Sequence, residues 1–408
     1  MKVGKLNQRS VIMNKHATET ACGRRGAIVR SLLAGAFVFA TGASALAQDD
    51  EVWEYRLTDA QRAEAAAAGT ADGAAQGDPH ALPTDKKIGV ILLSGQSASS
   101  KRILRPIENL AEILGYEVAV CDPNFDAQKV TQCATSLVAQ NVDAVFSIST
   151  SPGPMGSALQ DGQDRGIPFF NTVSGVQPSP LLIDYGSPGI ATAQLSAAWL
   201  FEEAKRRKGD GVPLKFTLLT APTVGYANLV EEQEVIKAAE ATENVEIAIK
   251  HDLDLANIVQ DTINISRQSV QQHPDLAGIW TVCDLCIPLI SQAIDTEGLT
   301  GEDRPIIAGD YTSGQGVALV REGKVDAIMD LPLEASVWVG FDQLLGYWSR
   351  EKPIERSFDV MSEGYGLTFM EPYLVTRENV GDGPIPVIGP DHESYFLAKW
   401  KEEYGLGG

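Results

Sequence analysis

The fold is decided by residues 87–115, "KIGVILLSGQSASSKRILRPIENLAEILG". The stretch opens with a short, almost wholly apolar run, which is typical of a β-strand covered on both faces of a sheet. The apolar residues that follow recur at helical spacing. We expect this helix to begin at Ser99 or Ser100 and to end at Gly115, since serine and glycine favour these positions. The stretch therefore predicts a buried strand followed by a helix that covers the sheet.

The same alternation of strand and helix continues along most of the chain. The further predicted strands are "YEVAVC", "DAVFSIS", "IPFFNTV", "LLIDY", "KFTLLTA", "VEIAIKH", "LAGIWTV", "PIIAGD" and "DAIMDLP". Strands separated by helices favour right-handed βαβ units and parallel sheets. Because these strands are too many for one small sheet, we predict an α/β fold of two Rossmann-like lobes. The loops after their strands should line a cleft for a small polar molecule.

The first 48 residues predict export from the cytoplasm. They contain seven lysines and arginines against one acid, Glu19, and an apolar run at 31–43 that leads to Ala45-Leu46-Ala47. A basic start, a short apolar core and an A-x-A end are the parts of a secretory signal peptide. The run is also shorter than the roughly 20 residues of a membrane span. We predict a signal peptide at 1–47, exported by the general or the twin-arginine route, and a periplasmic location.

Residues 48–85, which follow the predicted signal peptide, are rich in alanine, glycine and aspartate, and so predict a flexible N-terminal segment.

The charge of the whole chain and its few histidines limit the class of partner and of activity. The chain has 33 basic and 54 acidic residues, a net charge of −21, which repels nucleic acid and anionic lipid. Neither is an expected partner. The five histidines are scattered, so no hydrolytic triad is indicated, and we predict neither an enzyme nor a bound cofactor.

Four cysteines are expected to remain after export: Cys121, Cys133, Cys283 and Cys286. An even number in an exported protein indicates disulfides, and four cysteines allow three pairings. We favour 121–133 and 283–286 because each pair is close in the chain, with buried free thiols as the alternative for the first pair. The second pair lies in "TVCDLCIPLI" at 281–290, where a redox pair or part of a zinc site is a further alternative. A disulfide that shapes the loop presenting Asp284 is the favoured interpretation.

The chain resembles the periplasmic binding proteins of the ribose/galactose type, the sugar-binding components of ABC importers. The resemblance covers roughly residues 86–400. Its marks are "KIGVILLSG", "GYEVAVCDPNFDAQKVTQCATSLVAQNVDAVFSIS", "GIPFFNT", "HPDLAGIWTVCD", "IIAGDYT" and "REGKVDAIMDLPLEASVWVGFDQLL". No single motif is exclusive to the family, but their order along the chain is specific.

The resemblance implies a type I fold whose two lobes are joined by a three-strand hinge. By position, the crossovers fall near Leu182–Tyr185, Asp330–Leu331 and Met361–Ser362. The implied N-terminal lobe is 86–184 with 331–361, and the implied C-terminal lobe is 185–330 with 362–400.

The resemblance also suggests the ligand-binding residues Asp310, Asp330, Asp284, Tyr226, Tyr311 and Trp338. Asp310 matches the family's ligand-binding aspartate, Asp330 stands where the family often has glutamine, and Asp284 follows a position where asparagine is common. The three aromatic residues would stack on a sugar ring. The alternative roles are an N-cap for Asp310 and simple packing for the aromatics. The acidic run at Glu231–Glu234 is predicted to be a solvated helix face.

Two departures from the family pattern concern the grip on ring hydroxyls. Val173-Ser174 replaces an Asp-Arg pair, and the helix near Tyr226 begins without an arginine. Acidic acceptors with no obvious arginine would also suit a cationic or donor-rich ligand.

The predicted function is that of a monomeric periplasmic solute-binding protein that delivers a small polar ligand, a carbohydrate or polyol, to an ABC transporter permease. The alternative is a periplasmic sensor of the same fold, or a binder of a small cationic ligand, that signals to a membrane kinase.

Overall fold

The computed structural model describes residues 80–173, 175–186, 189–357, 369, 371–383 and 391–406, with the side chains of Tyr226 and Ala227 excepted. All of these residues belong to one structural unit. The predicted signal peptide and most of the predicted segment at 48–85 lie outside the described residues.

The first sheet contains five parallel strands in the order β2-β1-β3-β4-β5. Their bounds are β1 Lys87–Ile91, β2 Glu117–Cys121, β3 Ala144–Ile148, β4 Phe169–Thr172 and β5 Ile183–Asp184. Every residue of β3 is buried and so is most of β1, whereas the edge strand β2 is partly exposed. The almost wholly apolar run that opens residues 87–115 is therefore a central strand, as its pattern predicted.

Four described helices lie between the strands of the first sheet, and the longest of these follows β1 directly. They are α1 Ala98–Leu114, α2 Ala127–Ala139, α3 Pro152–Met155 and α4 Ala158–Asp164. The N-cap of α1 is Ser97, two residues earlier than the nearer predicted position, and its side chain accepts a hydrogen bond from the amide of Ser100. Gly115 ends α1 with a φ of 71°, a left-handed conformation that glycine adopts without a steric penalty.

The second sheet contains six strands in the order β11-β10-β9-β8-β6-β7. Their bounds are β6 Leu214–Thr220, β7 Val245–Asp252, β8 Gly278–Thr281, β9 Ile306–Asp310, β10 Ala327–Asp330 and β11 Tyr373–Thr376. All neighbours pair in parallel except β10 and β11, which are antiparallel. The helix α5 Gly189–Lys208 precedes β6, and the helices between these strands are α6 Tyr226–Ala241, α7 Ile258–Gln272, α8 Cys286–Thr296 and α9 Gly314–Glu322, with a short 3-10 helix at Gly301–Asp303.

After β10 the chain returns to the first lobe. The helix α10, Leu333–Arg350, packs against α1, and α11, His392–Tyr404, packs against α10. Stacked rings of Phe146, Phe170 and Phe341 tie α10 to the first sheet, with centroids 5.0 and 5.4 Å apart. The sequence-based lobe boundaries placed 362–400 in the second lobe. Within that range β11 does pair in the second sheet, but α11 packs on the first lobe.

Two of the three predicted crossovers fall within the described residues. The first includes β5, where the Asp184 amide donates to the Arg356 carbonyl at 2.9 Å and an isolated bridge joins Asp184 to Ser357. The second follows Asp330, the last residue of β10. The third, Met361–Ser362, lies outside the described residues. Among the described helices, none combines the length and apolar character of a membrane span.

Candidate ligand-binding cleft

The loops that follow the strands of the two sheets contact one another. Gly225, at the start of α6, lies so close to the Ser149 carbonyl after β3 that an added Cβ would come within 2.9 Å of it. Only glycine fits there without movement of the backbone. Because ligands of open parallel sheets bind beyond the carboxyl ends of the strands, these facing loops define a cleft closed between two lobes.

Asp284, in the loop between β8 and α8, contacts the first lobe directly. Its Oδ2 accepts hydrogen bonds from the Ser99 amide at 2.7 Å and from the hydroxyls of Ser99 at 2.9 Å and Ser97 at 3.2 Å. Its Oδ1 accepts from the Leu285 amide. The carboxylate of one lobe thus lies at the N-terminus of α1 in the other, where the helix dipole favours a negative charge. Both carboxylate oxygens of Asp284, a predicted ligand-binding residue, therefore accept hydrogen bonds from the protein itself.

A second contact between the lobes is centred on Arg102 of α1, whose side chain is buried. Its Nη1 donates to Asp330 at 2.8 Å and to the Thr312 hydroxyl at 2.6 Å. Its Nε and Nη2 donate to the two carboxylate oxygens of Glu334 at 2.6 and 2.7 Å. The Thr312 hydroxyl also donates to Asp330. Asp330, another predicted ligand-binding residue, is therefore engaged by an arginine.

Burial and charge act in opposite directions on this cluster. Burial lowers the pKa of the Arg102 guanidinium, but Glu334 and Asp330 outweigh it and hold the pKa above the ordinary value. Burial raises the pKa of Asp330, while the charge of Arg102 lowers it in part. The guanidinium therefore stays charged, and it compensates the two acids beside it.

Asp310 has a different environment from the other two predicted aspartates. It ends β9, is fully buried, and neither of its carboxylate oxygens has a hydrogen-bond partner among the described residues. Burial raises its pKa from 3.8 to about 7, opposed by the Ser196 hydroxyl of α5. That hydroxyl accepts a hydrogen bond from the Trp280 indole at 2.9 Å, and its contact with Asp310 falls short of hydrogen-bond geometry. The helix α9 is capped by Ser313 instead, so Asp310 is not its N-cap.

Glu231, on α6, is an acidic neighbour of Asp310 and feels its charge. It is also fully buried, and its Oε1 accepts a hydrogen bond from the Tyr311 hydroxyl at 3.2 Å, while Oε2 has no partner among the described residues. Burial and then the charge of Asp310 raise the pKa of Glu231 well above its ordinary value, against the effect of Tyr311. We call Asp310 and Glu231 the acid pair.

The predicted aromatic residues lie in three different settings. Tyr311 is buried beside the acid pair, in a left-handed conformation with a φ of 68°. Trp338 is buried in α10, where its ring stacks on Trp400 at 5.4 Å, and its indole Nε1 has no hydrogen-bond partner in the described part of the chain. Tyr226 is the first residue of α6, and its side chain lies outside the described set.

A cavity of about 760 Å³ lies between the lobes, beside their outer strands. It is lined by Gln96, Asn124, Phe125, Asp126 and Lys129 of the first lobe and by residues 255–260 of the second. These residues follow β1, β2 and β7, and both β2 and β7 are the edge strands farthest from the crossovers after β5 and β10. The cavity is therefore the outer end of the cleft.

Both favoured cysteine pairings are present as disulfides, Cys121–Cys133 and Cys283–Cys286. The second lies next to Asp284 and spans the start of α8, so it constrains the loop that reaches α1. Within the described residues, no three histidine, cysteine, aspartate or glutamate side chains form a group that could hold a metal ion.

Sequence reasoning missed two residues of the cleft. Glu231 was predicted to be solvated, and this is wrong because it is fully buried. Its spacing to Val235 and Ala239, which are also buried, places all three on one face of α6 and was the available signal. Arg102 was missed because its helix was matched only for apolar spacing. The statement that no arginine accompanies the acidic acceptors is corrected by its contact with Asp330.

A model of the periplasmic binding protein domain matches residues 88–352. The chain belongs to the periplasmic binding protein family. No curated protein matches it at the level of sequence.

Solved structures of periplasmic binding proteins resemble the chain in fold. A galactofuranose binding protein superposes with a TM-score of 0.62 at 16% identity, over 72% of this chain and 96% of that one. The Caulobacter myo-inositol binding protein bound to myo-inositol gives 0.62 at 13% identity, over 74% and 96%. An ABC transporter periplasmic solute binding protein from Actinobacillus succinogenes 130z with bound D-allose gives 0.61 at 15%, over 72% and 99%. The fold is that of a type I periplasmic binding protein.

Proposed function

We propose that the protein captures a small polar ligand, a carbohydrate or polyol, between its two lobes and delivers it to the permease of an ABC importer. The observation that carries this proposal is Asp310: a fully buried carboxylate at the carboxyl end of a central strand, with both oxygens unpartnered among the described residues. A buried polar group without partners is costly, so such a group is suited to receive hydrogen bonds from a ligand.

Family membership and the similar structures support the same ligand class. The three structures are described as a galactofuranose binding protein, a myo-inositol complex and a D-allose complex. The two disulfides also support a location outside the cytoplasm, where thiols are oxidised. We further propose that the protein acts there as a monomer, without a cofactor and without catalysis.

The proposed ligand contacts are those with unsatisfied groups or with rings beside the acid pair. Asp310 would accept hydrogen bonds from the ligand, with Tyr311 as an aromatic wall from the second lobe. Tyr226 is kept as a second wall on its position in the sequence, at the start of α6. Trp338 would contribute from the first lobe, since its indole donor is unpartnered among the described residues. Asp284 and Asp330 would hold the lobes together through their contacts with α1.

The proposed mechanism is a shift of an equilibrium between open and closed lobes. The contacts of Asp284 with Ser97 and Ser99, and of Arg102 with Asp330, form only when the lobes approach. We call these the closure contacts. A ligand that touches both lobes binds the closed form better, and so increases its population by its differential affinity. The permease would recognise that form.

A thermal-shift screen of sugars and polyols, followed by calorimetry, tests the proposal. A ligand at 100 times its Kd should stabilise the wild-type protein by about 2.7 kcal/mol. The Asp310→Ala variant should lose this binding while remaining folded, and Asp295→Asn, at an exposed ion pair with Arg304, serves as the matched control. If Asp310→Ala keeps wild-type affinity, Asp310 is outside the site. If no sugar, polyol or derivative binds, the proposed function fails.

A further inference from the structure

The acid pair has no positive charge to balance it. Three of its four carboxylate oxygens have no hydrogen-bond partner among the described residues: both oxygens of Asp310 and Oε2 of Glu231. No lysine or arginine in the described part of the chain forms an ion pair with either residue or lowers its pKa. An ionised carboxylate in such surroundings is strongly unfavourable unless a partner arrives.

The rest of the chain from residue 80 onward cannot supply that partner. The residues between 80 and 408 that the structure does not describe include no lysine, arginine or histidine. Arg102, the buried arginine of the cleft, is already engaged by Asp330 and Glu334. The missing charge is therefore expected from outside residues 80–408.

The other acids of the cleft make the contrast clear. Asp284 receives four hydrogen bonds from Ser97, Ser99 and Leu285, and Asp330 receives an arginine and a hydroxyl. The chain thus satisfies the acids that join the lobes and leaves the acid pair unsatisfied at the carboxyl end of β9. A general excess of acid does not explain this difference, because the acids lie in one cleft.

We propose that the ligand carries a protonated amino group that binds between Asp310 and Glu231, which makes an amino sugar or an amino polyol the preferred ligand class. This inference rests on the proposed function. An ammonium group has three N–H donors, the same number as the unpartnered oxygens, and Tyr311 already serves the fourth. Such charge-assisted bonds are roughly twice as strong as neutral ones.

A neutral sugar would bind this site less well. Burial raises the pKa of both acids, so the ligand-free pair keeps a proton near neutral pH, and a neutral sugar would bind it in that form through neutral hydrogen bonds. The amine displaces that proton and brings its own positive charge, which turns the same contacts into charge-assisted hydrogen bonds.

Matched pairs of compounds that differ only in the amine test the inference by calorimetry at neutral pH. The pairs are D-glucosamine with D-glucose, D-galactosamine with D-galactose, and 1-amino-1-deoxy-D-glucitol with D-glucitol. In at least one pair, the amine should bind about 100-fold more tightly, because two or three charge-assisted hydrogen bonds replace neutral ones. Asp310→Asn and Glu231→Gln should each remove this preference.

The control is Glu234→Gln, one turn further along the same helix, where the side chain is 16% exposed and its carboxylate accepts hydrogen bonds from Gln194 and Lys237. It should keep the wild-type preference. If the neutral compound binds as well as its amine in every pair that binds, the inference is overturned and the proposed function stands. If neither member of any pair binds, and the wider sugar screen is also negative, both fail. The wild-type comparison remains decisive even if a variant does not fold.

Discussion

The cleft contains two kinds of buried acid, and their surroundings differ. Asp330 lies against Arg102 and Thr312, and Asp284 lies at the N-terminus of α1, so protein groups satisfy both. Asp310 and Glu231 are buried at least as deeply, yet three of their oxygens have no partner among the described residues. The difference teaches that burial alone does not identify a ligand contact. What matters is whether the chain itself supplies the donors.

Among the substitutions that test this comparison, Arg102→Met should cause the largest loss of stability. The substitution leaves the buried Asp330 and the half-buried Glu334 without their cation, and breaking a buried pair in this way costs about 3–5 kcal/mol. The Asp330 carboxyl would then keep the Thr312 hydroxyl as a donor but would have lost its cation, as the acid pair has none. Urea unfolding measures the loss, and the double variant Arg102→Met with Asp330→Asn should recover part of it.

A surface ion pair provides the control for that experiment. Arg206 donates to Glu203 at 2.6 Å, as Arg102 donates to Glu334, but the Arg206 side chain is 70% exposed. We expect Arg206→Met to change the free energy of unfolding by less than about 1 kcal/mol, because exposed pairs contribute little. Equal effects of the two substitutions would refute the structural role of Arg102.

A smaller effect is expected from Asp284→Ala, which removes an acceptor that joins the lobes. The free energy of unfolding should fall by about 1–3 kcal/mol, because the buried donors of Ser97 and Ser99 are left without their acceptor. Since the contact spans the cleft, the ligand-free protein should also open, which small-angle scattering would detect as a larger radius of gyration.

The matched variant for Asp284 is Asp126→Ala. Asp126 lines the cavity at the outer end of the cleft, but its hydrogen bonds, which cap α2 through the amides of Gln128 and Lys129, stay within the first lobe. The Asp126→Ala variant should lose about 1 kcal/mol of stability with no change in the radius of gyration. If both variants keep the wild-type radius, Asp284 does not control closure.

Much of the fold could be predicted from the sequence because local pattern determines it. The buried run of β1, the helical spacing of α1 and the strand–helix alternation all depend on residues close in the chain. The position of α11 could not be predicted this way. It packs on α10 through Trp338 and Trp400, and its own sequence gives no sign of which lobe it joins.

The candidate site was less predictable, since its partners come from distant parts of the chain. Asp284 and Ser99 are separated by 185 residues, and Arg102 and Asp330 by 228. The sequence pattern could suggest that each aspartate follows a strand. It could not show which of them would receive hydrogen bonds or a positive charge from the protein itself. For Glu231, the acidic run around it obscured the spacing that places it on the buried face.

The most direct test is the pH dependence of stability in the ligand-free protein. The pKa of Asp310 is about 7 in the folded protein, against an ordinary value of 3.8, because of burial. The folded state therefore binds more protons than the unfolded state between these values, so this group's contribution to stability falls as pH rises through that window. Glu231, whose pKa is raised by burial and by Asp310, acts in the same direction.

Thermal unfolding of the wild type and of Asp310→Asn at about pH 5 and about pH 8 measures this contribution together with the effect of Asp310 on the pKa of Glu231, because the remaining titrating groups are common to both proteins. We predict that Asp310→Asn is the more stable protein at the higher pH and that its advantage shrinks at the lower one. A variant that is no more stable than the wild type at the higher pH, or whose advantage does not change with pH, would contradict the claim that the protein buries Asp310 without a partner.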